Sequence, residues 1–136
     1  MANLIDLSSN YPEERRKILD GTYPTKIIAG RQRKHIAGTV EFKQKCEQMN
    51  NNNLGSQPAI LEFDADSLVK KYKGTGKISL IKGSLYPQEI IDVNFVIGKT
   101  WYKRHQKYVT TKRFKIIYSS TGVHIFPVSD YIERSE

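Results

Sequence analysis

Residues 111–127 read TKRFKIIYSSTGVHIFP, two runs of alternating apolar residues on either side of a short polar turn. This pattern is typical of a β-hairpin, in which Ser, Thr and Gly make the turn. With the turn centred on residues 120 and 121, three apolar pairs face each other: Tyr118 with Val123, Ile116 with Ile125, and Phe114 with Pro127. The hairpin therefore predicts one apolar sheet face that covers a core.

The opposite face of the same hairpin is polar. Because side chains alternate along a strand, this face is predicted to carry Thr111, Arg113, Lys115 and His124. A histidine among cations and a hydroxyl suits the binding and cleavage of a phosphodiester.

The rest of the chain predicts helices first and strands afterwards. Pro12 begins a helix that runs to Asp20, and residues 22–34 are expected to be an extended arm. The other predicted elements are a helix over about 40–49 capped by Thr39, a strand at 60–63, a helix to Tyr72 capped by Asp64 or Asp66, and strands at 77–81, 89–97, 107–119 and 122–127. This order predicts an α+β domain, with N-terminal helices packed on a C-terminal antiparallel β-sheet.

Composition favours a single globular domain with a polyanionic partner. The chain has 136 residues, of which 38% are hydrophobic, and no apolar run approaches the roughly 20 residues of a membrane helix. Its one cysteine, Cys46, forms no internal disulfide, so the protein is expected to act in the cytoplasm. Twenty-two Lys and Arg against fourteen Asp and Glu give a net charge of +8, which attracts nucleic acid. The alternative is a basic surface that only maintains solubility.

Two clusters of basic residues favour the nucleic-acid partner over the alternative of mere solubility. Residues 99–115 contain seven Lys and Arg and no acidic residue, and the aromatic residues Trp101, Tyr102, Tyr108 and Phe114 lie among them. Such a mixture binds phosphates with its cations and stacks on unpaired bases with its rings. A second cluster, Lys26, Arg31, Arg33 and Lys34, leads directly into His35.

Two of the three histidines are the candidate catalytic residues. His35 and His124 each adjoin a cationic cluster, whereas His105 is expected to contact phosphate or solvent. Metal-free RNA cleavage needs a base for the ribose 2′-OH and an acid for the leaving oxygen, and two imidazoles can fill both roles. Packing or surface roles are the alternative for each histidine. The histidines and Cys46 lack the paired spacing of a zinc site, and no cofactor is implied.

Several blocks of the chain resemble the polymorphic toxin type 50 domain. They are RQRKHIAGT at 31–39 with Glu41-Phe42, LVKKYKGTGK at 68–77, EIID at 89–92, TKRFKIIYS at 111–119 and GVHIFP at 122–127. The resemblance covers about 22–127 and implies a ribonuclease fold of the barnase, EndoU, colicin and RelE group. By position, His35 and His124 match the family's histidines, and Thr111 and Ser119 match hydroxyl positions. The chain departs from the pattern in residues 99–108 and at Ser120, which concerns substrate choice.

Together these features predict an endoribonuclease toxin domain over residues 26–136, preceded by a helix and linker over residues 1–25. His35 and His124 would act as the acid–base pair, in either order. The remaining predicted site residues are Thr111, Ser119 and Arg113 at the phosphate, and Lys34, Arg33, Lys112, Lys115 and Tyr118 at the substrate, although packing is the favoured role of Tyr118. Glu89 and Asp92 are expected to be a solvated strand end or, alternatively, to orient a histidine.

The expected partners are RNA and an acidic immunity protein, with the domain delivered into a target cell or associated with a phage. The first alternative is a non-catalytic nucleic-acid binder such as a phage head or packaging accessory protein. The second is a structural interaction domain. The oligomeric state is left open.

Overall fold

A computed structural model describes residues 10–52 and 55–130 of the chain. The helices are α1 (Pro12–Leu19), α2 (Ala29–Arg33), α3 (Val40–Asn52) and α4 (Ala65–Tyr72). The strands are β1 (Ile60–Leu61), β2 (Lys77–Leu80), β3 (Pro87–Asp92), β4 (Gly98–Tyr102), β5 (Lys107–Thr111), β6 (Arg113–Tyr118) and β7 (Val123–Pro127). The predicted α+β class is confirmed.

The strands form two antiparallel sheets rather than one. The main sheet has the order β2-β3-β6-β7, and the small sheet has the order β1-β4-β5. Strand β6 pairs with β7 in the predicted register, with Tyr118 opposite Val123 and Ile116 opposite Ile125. The apolar face predicted for this hairpin is buried: Phe114, Ile116, Val123 and Ile125 are all fully inaccessible to solvent.

The single strand predicted over residues 107–119 is wrong. It is broken at Lys112, whose amide donates to Asp130 and whose carbonyl accepts the amide of Val93, each at 2.9 Å. These bonds pull Lys112 out of both ladders, so β5 turns into the small sheet and pairs with β4. Strand β4 was not predicted from the sequence.

The predicted helix caps are confirmed. Thr39 Oγ1 accepts the amide of Phe42 at 3.0 Å at the start of α3. Asp64 accepts the amide of Ser67 at 2.9 Å at the start of α4. The helix predicted over about 40–49 is longer in the structure, because α3 continues through Asn52.

Helix α1 packs into the same core as the main sheet. Its Ile18 is fully buried, and Tyr23, in the segment that follows, is 8% exposed. Both belong to the cluster that contains Phe114 and Ile116. The domain boundary expected after residue 25 stays a prediction.

Glu89 is a fully buried carboxylate, not a solvated strand end. It accepts hydrogen bonds from the amides of Gly74 at 3.0 Å and Gly76 at 2.7 Å, and from the Tyr118 hydroxyl at 2.7 Å. Burial beside this carboxylate raises the pKa of the Tyr118 hydroxyl. Three donors replace the lost hydration, so Glu89 ties the turn after α4 to the main sheet. Asp92, three residues on, is exposed and pairs with Arg113.

The outer edge of β7 is covered by the chain that leads into α2. Val123 donates to the carbonyl of Lys26 at 2.8 Å and accepts the amide of Ile28 at 2.7 Å. The arm predicted over residues 22–34 is therefore extended beside β7, but its end is the helix α2. Gly122 makes this close approach feasible: its φ is +142°, and a Cβ there would lie 2.3 Å from the Lys26 carbonyl oxygen.

Candidate active site

His35 and His124 lie side by side, although 88 residues separate them in the sequence. Their ring centroids are 6.4 Å apart and their planes differ by 6°. His35 follows the last turn of α2, and His124 is the second residue of β7. The contact of α2 with β7 therefore creates the pair.

The two rings face a cleft of about 410 Å³. We call it the histidine cleft; its lining residues are Arg31, Lys34, His35, Lys45, His124 and Phe126. The lining contains three cations and no carboxylate. Such a surface attracts an anion such as phosphate.

Phe126 supports both imidazoles. Its ring stacks against His35 with 5.0 Å between centroids and lies 5.9 Å from the ring of His124. Because residues alternate along β7, Phe126 projects from the same face as His124. The sequence contained this signal, since His124 and Phe126 are two residues apart in a predicted strand.

A hydrogen bond orients the His35 ring. Its Nδ1 lies 3.0 Å from the carbonyl oxygen of Ala59. A carbonyl only accepts hydrogen bonds, so Nδ1 carries the proton and Nε2 has the free lone pair in the neutral ring. The main chain of His35 is held as well, because the amide of Leu61 donates to the His35 carbonyl at 2.8 Å.

Both imidazoles have a lowered pKa. Burial lowers the pKa of His35, opposed in part by the bond to Ala59 and supported by the charges of Lys45 and Lys34. Burial, and then the proximity of His35, Arg31 and Lys34, lowers the pKa of His124 to about 4. Within the described chain, His124 Nδ1 is buried without a hydrogen-bond partner. Both rings are therefore neutral at pH 7 in the free protein.

Arg31 and Lys45 line the cleft but were not among the predicted site residues. Lys45 lies three positions after Phe42 on α3, and both residues are half-buried, so Lys45 lies on the helix face that packs against the protein. Arg31 belongs to the basic cluster before His35. Which cation of this cluster faces the cleft depends on helix α2, and that helix was not predicted from the sequence.

The predicted hydroxyls and most of the other predicted cations do not line the cleft. Thr111 is buried and donates to the Val128 carbonyl at 2.7 Å, and Ser119 donates to the Gly122 carbonyl at 2.8 Å. Arg33 pairs with Glu41 at 2.8 Å, and Arg113 pairs with Asp92 at 2.6 Å.

The remaining predicted substrate residues also lie outside the cleft lining. Tyr118 is 3% exposed on the core face, as its packing role predicts. Lys112 is exposed at the strand break, and Lys115 lies opposite Phe126 on the neighbouring strand. Any contact of these residues with a substrate stays a prediction.

Of the aromatic residues in the basic segment, Phe114 is fully buried in the core and is not available to stack on a base, and the others divide into two groups. Trp101 Nε1 donates to the Gly55 carbonyl, and the Tyr108 hydroxyl donates to the Pro58 carbonyl at 3.0 Å. Tyr102 and His105 instead meet ring to ring at 5.1 Å and border a small cleft with Lys107. His105 is exposed, which agrees with its expected contact with phosphate or solvent.

Across residues 10–52 and 55–130, no three His, Cys, Asp or Glu residues lie close enough together to hold a metal ion. Cys46 is half-buried, and burial raises the pKa of its thiol. In the same described ranges, no helix has the length and apolar character needed to cross a membrane.

The chain is a basic α+β domain whose cleft holds two imidazoles and three cations without a carboxylate, a lining whose charge attracts anions. Residues 27–127 match the model of the bacterial toxin 50 family, and the chain belongs to that family. The match confirms the resemblance drawn from the sequence blocks and makes the chain a bacterial toxin domain. No curated protein matches the chain.

Proposed function

We propose that this toxin domain is an endoribonuclease that cleaves RNA by attack of the ribose 2′-OH, without a metal ion. The observation that supports the proposal is the parallel pair of His35 and His124 in a cation-lined cleft. Neutral imidazoles can transfer protons but carry no charge that attracts a phosphate, and Arg31, Lys34 and Lys45 supply that charge. The cleft combines both kinds of group.

His35 is the better candidate for the base. With its Nδ1 proton held by Ala59, its Nε2 accepts the proton of the 2′-OH. The 2′ oxygen then bonds to phosphorus while the bond from phosphorus to the 5′ oxygen breaks. The products are a 2′,3′-cyclic phosphate and a free 5′-OH.

His124 is then the acid that protonates the leaving 5′ oxygen. In the free protein its pKa of about 4 leaves it neutral, in part because His35, Arg31 and Lys34 disfavour a positive charge. A bound phosphate monoanion offsets these charges and raises the pKa, so substrate binding brings the proton to His124. Arg31, Lys34 and Lys45 stabilise the additional negative charge of the phosphorane.

The test is cleavage of total RNA by the purified full chain in the presence of EDTA. His35→Ala and His124→Ala are compared with His105→Ala, which removes an exposed histidine outside the cleft. Loss of cleavage in the first two variants alone, with 2′,3′-cyclic phosphate ends in the wild-type products, supports the proposal. RNA that is bound but not cut by the wild type supports the alternative of a nucleic-acid binder, for which Tyr102, His105 and Lys107 provide a candidate surface.

An acidic immunity protein is the partner proposed with this activity. It would cover the histidine cleft and place carboxylates opposite Arg31, Lys34 and Lys45. The cytoplasm of a target cell, where RNA is available, is the proposed site of action. Binding of such a protein and of RNA should then be mutually exclusive.

A further inference from the structure

Gln32 makes an unusual pair of hydrogen bonds at the edge of the main sheet. Its Nε2 donates to the carbonyl of Ile125 at 2.8 Å, and its Oε1 accepts the amide of Ile125 at 2.8 Å. The side chain is 3% exposed. One side-chain amide thus satisfies both backbone groups of one β7 residue.

This arrangement continues the covering of the β7 edge. The chain at residues 26–28 pairs with Val123, and Gln32 then takes the place that a strand residue would have beside Ile125. A primary amide has one carbonyl and one N–H group on the same side, so it can replace the C=O and N–H groups that one strand residue presents to its neighbour in a ladder. The backbone leaves the sheet edge and enters α2, while the side chain of Gln32 still pairs with β7.

Ile125 lies between the two β7 residues of the cleft, His124 and Phe126. Gln32 lies one residue after Arg31 and three before His35. The α2 helix has only five residues, which is too short to hold its position without tertiary contacts. The paired amide of Gln32 connects this short helix directly to β7 at the level of the cleft.

We propose that Gln32 is a positioning residue that fixes α2 against β7 and thereby sets the distance between His35 and His124. Its importance for catalysis rests on the proposed ribonuclease function. Its effect on the histidine pair does not, because the spacing of the two rings can be measured without a substrate.

Gln32→Met and Gln32→Glu test the proposal on the full chain. Methionine fills the space and makes neither hydrogen bond. A protonated carboxyl group makes both bonds, whereas the ionised form presents an oxygen to the Ile125 carbonyl and loses one. Gln44→Met, at an exposed position of α3, is the matched control.

The first readout is the NMR titration of His124. In Gln32→Met, α2 moves away from β7, so His124 is less buried and lies farther from His35 and the α2 cations, and its pKa should rise from about 4 toward 6.5. The control should titrate like the wild type. An unchanged His124 titration in a folded Gln32→Met variant would overturn the proposal, whether or not the wild type cleaves RNA.

The second readout is the pH profile of RNA cleavage by Gln32→Glu. Charged groups lie on both sides of residue 32: Arg31, Lys34, Lys45, His35 and His124 in the cleft, and Arg33, Glu62, Asp64 and Asp66 around the cavity on its other side. Burial should keep the introduced carboxyl protonated at acid pH, so kcat there should be within about threefold of the wild type. As that carboxyl ionises, kcat should fall at least tenfold while KM changes less.

The recovery of kcat by Gln32→Glu at acid pH separates a positioning role of Gln32 from a simple loss of stability. It compares one folded variant with itself at two pH values, so it remains informative if Gln32→Met does not fold. A Gln32→Glu profile parallel to that of the wild type at every pH would contradict the proposal. Wild-type protein that cleaves no RNA, combined with a shifted His124 titration in Gln32→Met, would refute the ribonuclease and retain the positioning role.

Discussion

Arg31 and Arg33 lie two residues apart on the same short helix, yet only Arg31 lines the histidine cleft, while Arg33 pairs with Glu41. The two positions therefore form a matched pair for testing which cation binds the substrate. Arg31→Gln should lower kcat/KM for RNA cleavage by roughly 10- to 160-fold, because a charge-assisted phosphate contact contributes about 1.5–3 kcal/mol.

Arg33→Gln carries the same change of charge and should lower kcat/KM less than threefold. Steady-state cleavage of a short RNA by both variants is the measurement. Equal losses would show that the overall charge of the chain, and not the geometry of the cleft, determines the rate.

The pH dependence of cleavage follows from the lowered pKa of both histidines. The base must be neutral and the acid protonated, and both pKa values lie below the ordinary 6.5 in the free protein. As the pH rises above 6.5, the singly protonated form becomes rare, so kcat/KM should decline.

We therefore expect a maximum of kcat/KM on the acid side of pH 6.5. The profile of kcat should lie at higher pH, because bound phosphate raises the pKa of His124. Circular dichroism across the same range controls for unfolding. A kcat/KM maximum above pH 8 would be inconsistent with this acid–base pair.

The β-hairpin at residues 111–127 shows how much of the fold could be predicted from the sequence. Its register followed from two features: apolar residues at every second position and a Ser-Ser-Thr-Gly turn of fixed length. Such local constraints leave one pairing that buries all the apolar side chains. Towards the N-terminus this alternation ends at Phe114, because Lys112 and Thr110 occupy the next positions of the same face, but a loss of periodicity alone could not show that the chain leaves one sheet there and enters another.

Only part of the candidate site could be predicted from the sequence, for a related reason. His35 and His124 were identifiable because histidine is rare in this chain and suited to proton transfer. Helix α2 was not identifiable, because it has five residues, contains Gly30 and is hydrogen-bonded through Gln32 to a strand residue 93 positions away. Because α2 was not predicted, the sequence did not show that Arg31 rather than Arg33 lines the cleft. It also did not show that Lys45 lines it.

Gly122→Ala should destabilise the protein and lower its cleavage rate. The added Cβ would lie 2.3 Å from the Lys26 carbonyl oxygen, so the arm that leads to α2 must move. Gly83→Ala is the control: Gly83 also has a positive φ, of +86°, but nothing lies within 4 Å of the added Cβ. The control should lose only about 1–2 kcal/mol from backbone strain.

Urea denaturation and kcat/KM measure both effects. We expect Gly122→Ala to lose more stability than Gly83→Ala, and only Gly122→Ala to lose activity in its folded form. Similar behaviour of the two variants would mean that the arm beside β7 has no influence on the cleft.

Glu89→Gln should lower the free energy of unfolding by about 2–4 kcal/mol, because the amide places an N–H group among three existing donors. Asp92→Asn, which weakens an ion pair at an exposed carboxylate on the same strand, should lower it less. Chemical denaturation gives both values. A smaller loss in Glu89→Gln than in Asp92→Asn would contradict a structural role of the buried carboxylate.

Helix α1 should be required for folding although the family match begins at residue 27. Ile18→Ala should cost about 2–5 kcal/mol, because Ile18 is fully buried in the common core. Leu19→Ala, at a position 56% exposed, should cost less. Thermal unfolding of both variants and of a fragment of residues 26–136 is the measurement, and a fragment as stable as the full chain would place α1 outside the domain.

The cation-lined cleft also sets the response of the protein to ionic strength. Since its lining holds Arg31, Lys34 and Lys45 without a carboxylate, the cleft has no internal counter-charge, and each RNA phosphate that it neutralises under the proposed function releases condensed cations from the RNA. On a single strand, each neutralised phosphate contributes a slope of about 0.7 to the logarithmic fall of affinity with salt. If the domain binds RNA as proposed, the steepness of that fall gives the number of phosphates that it contacts at once.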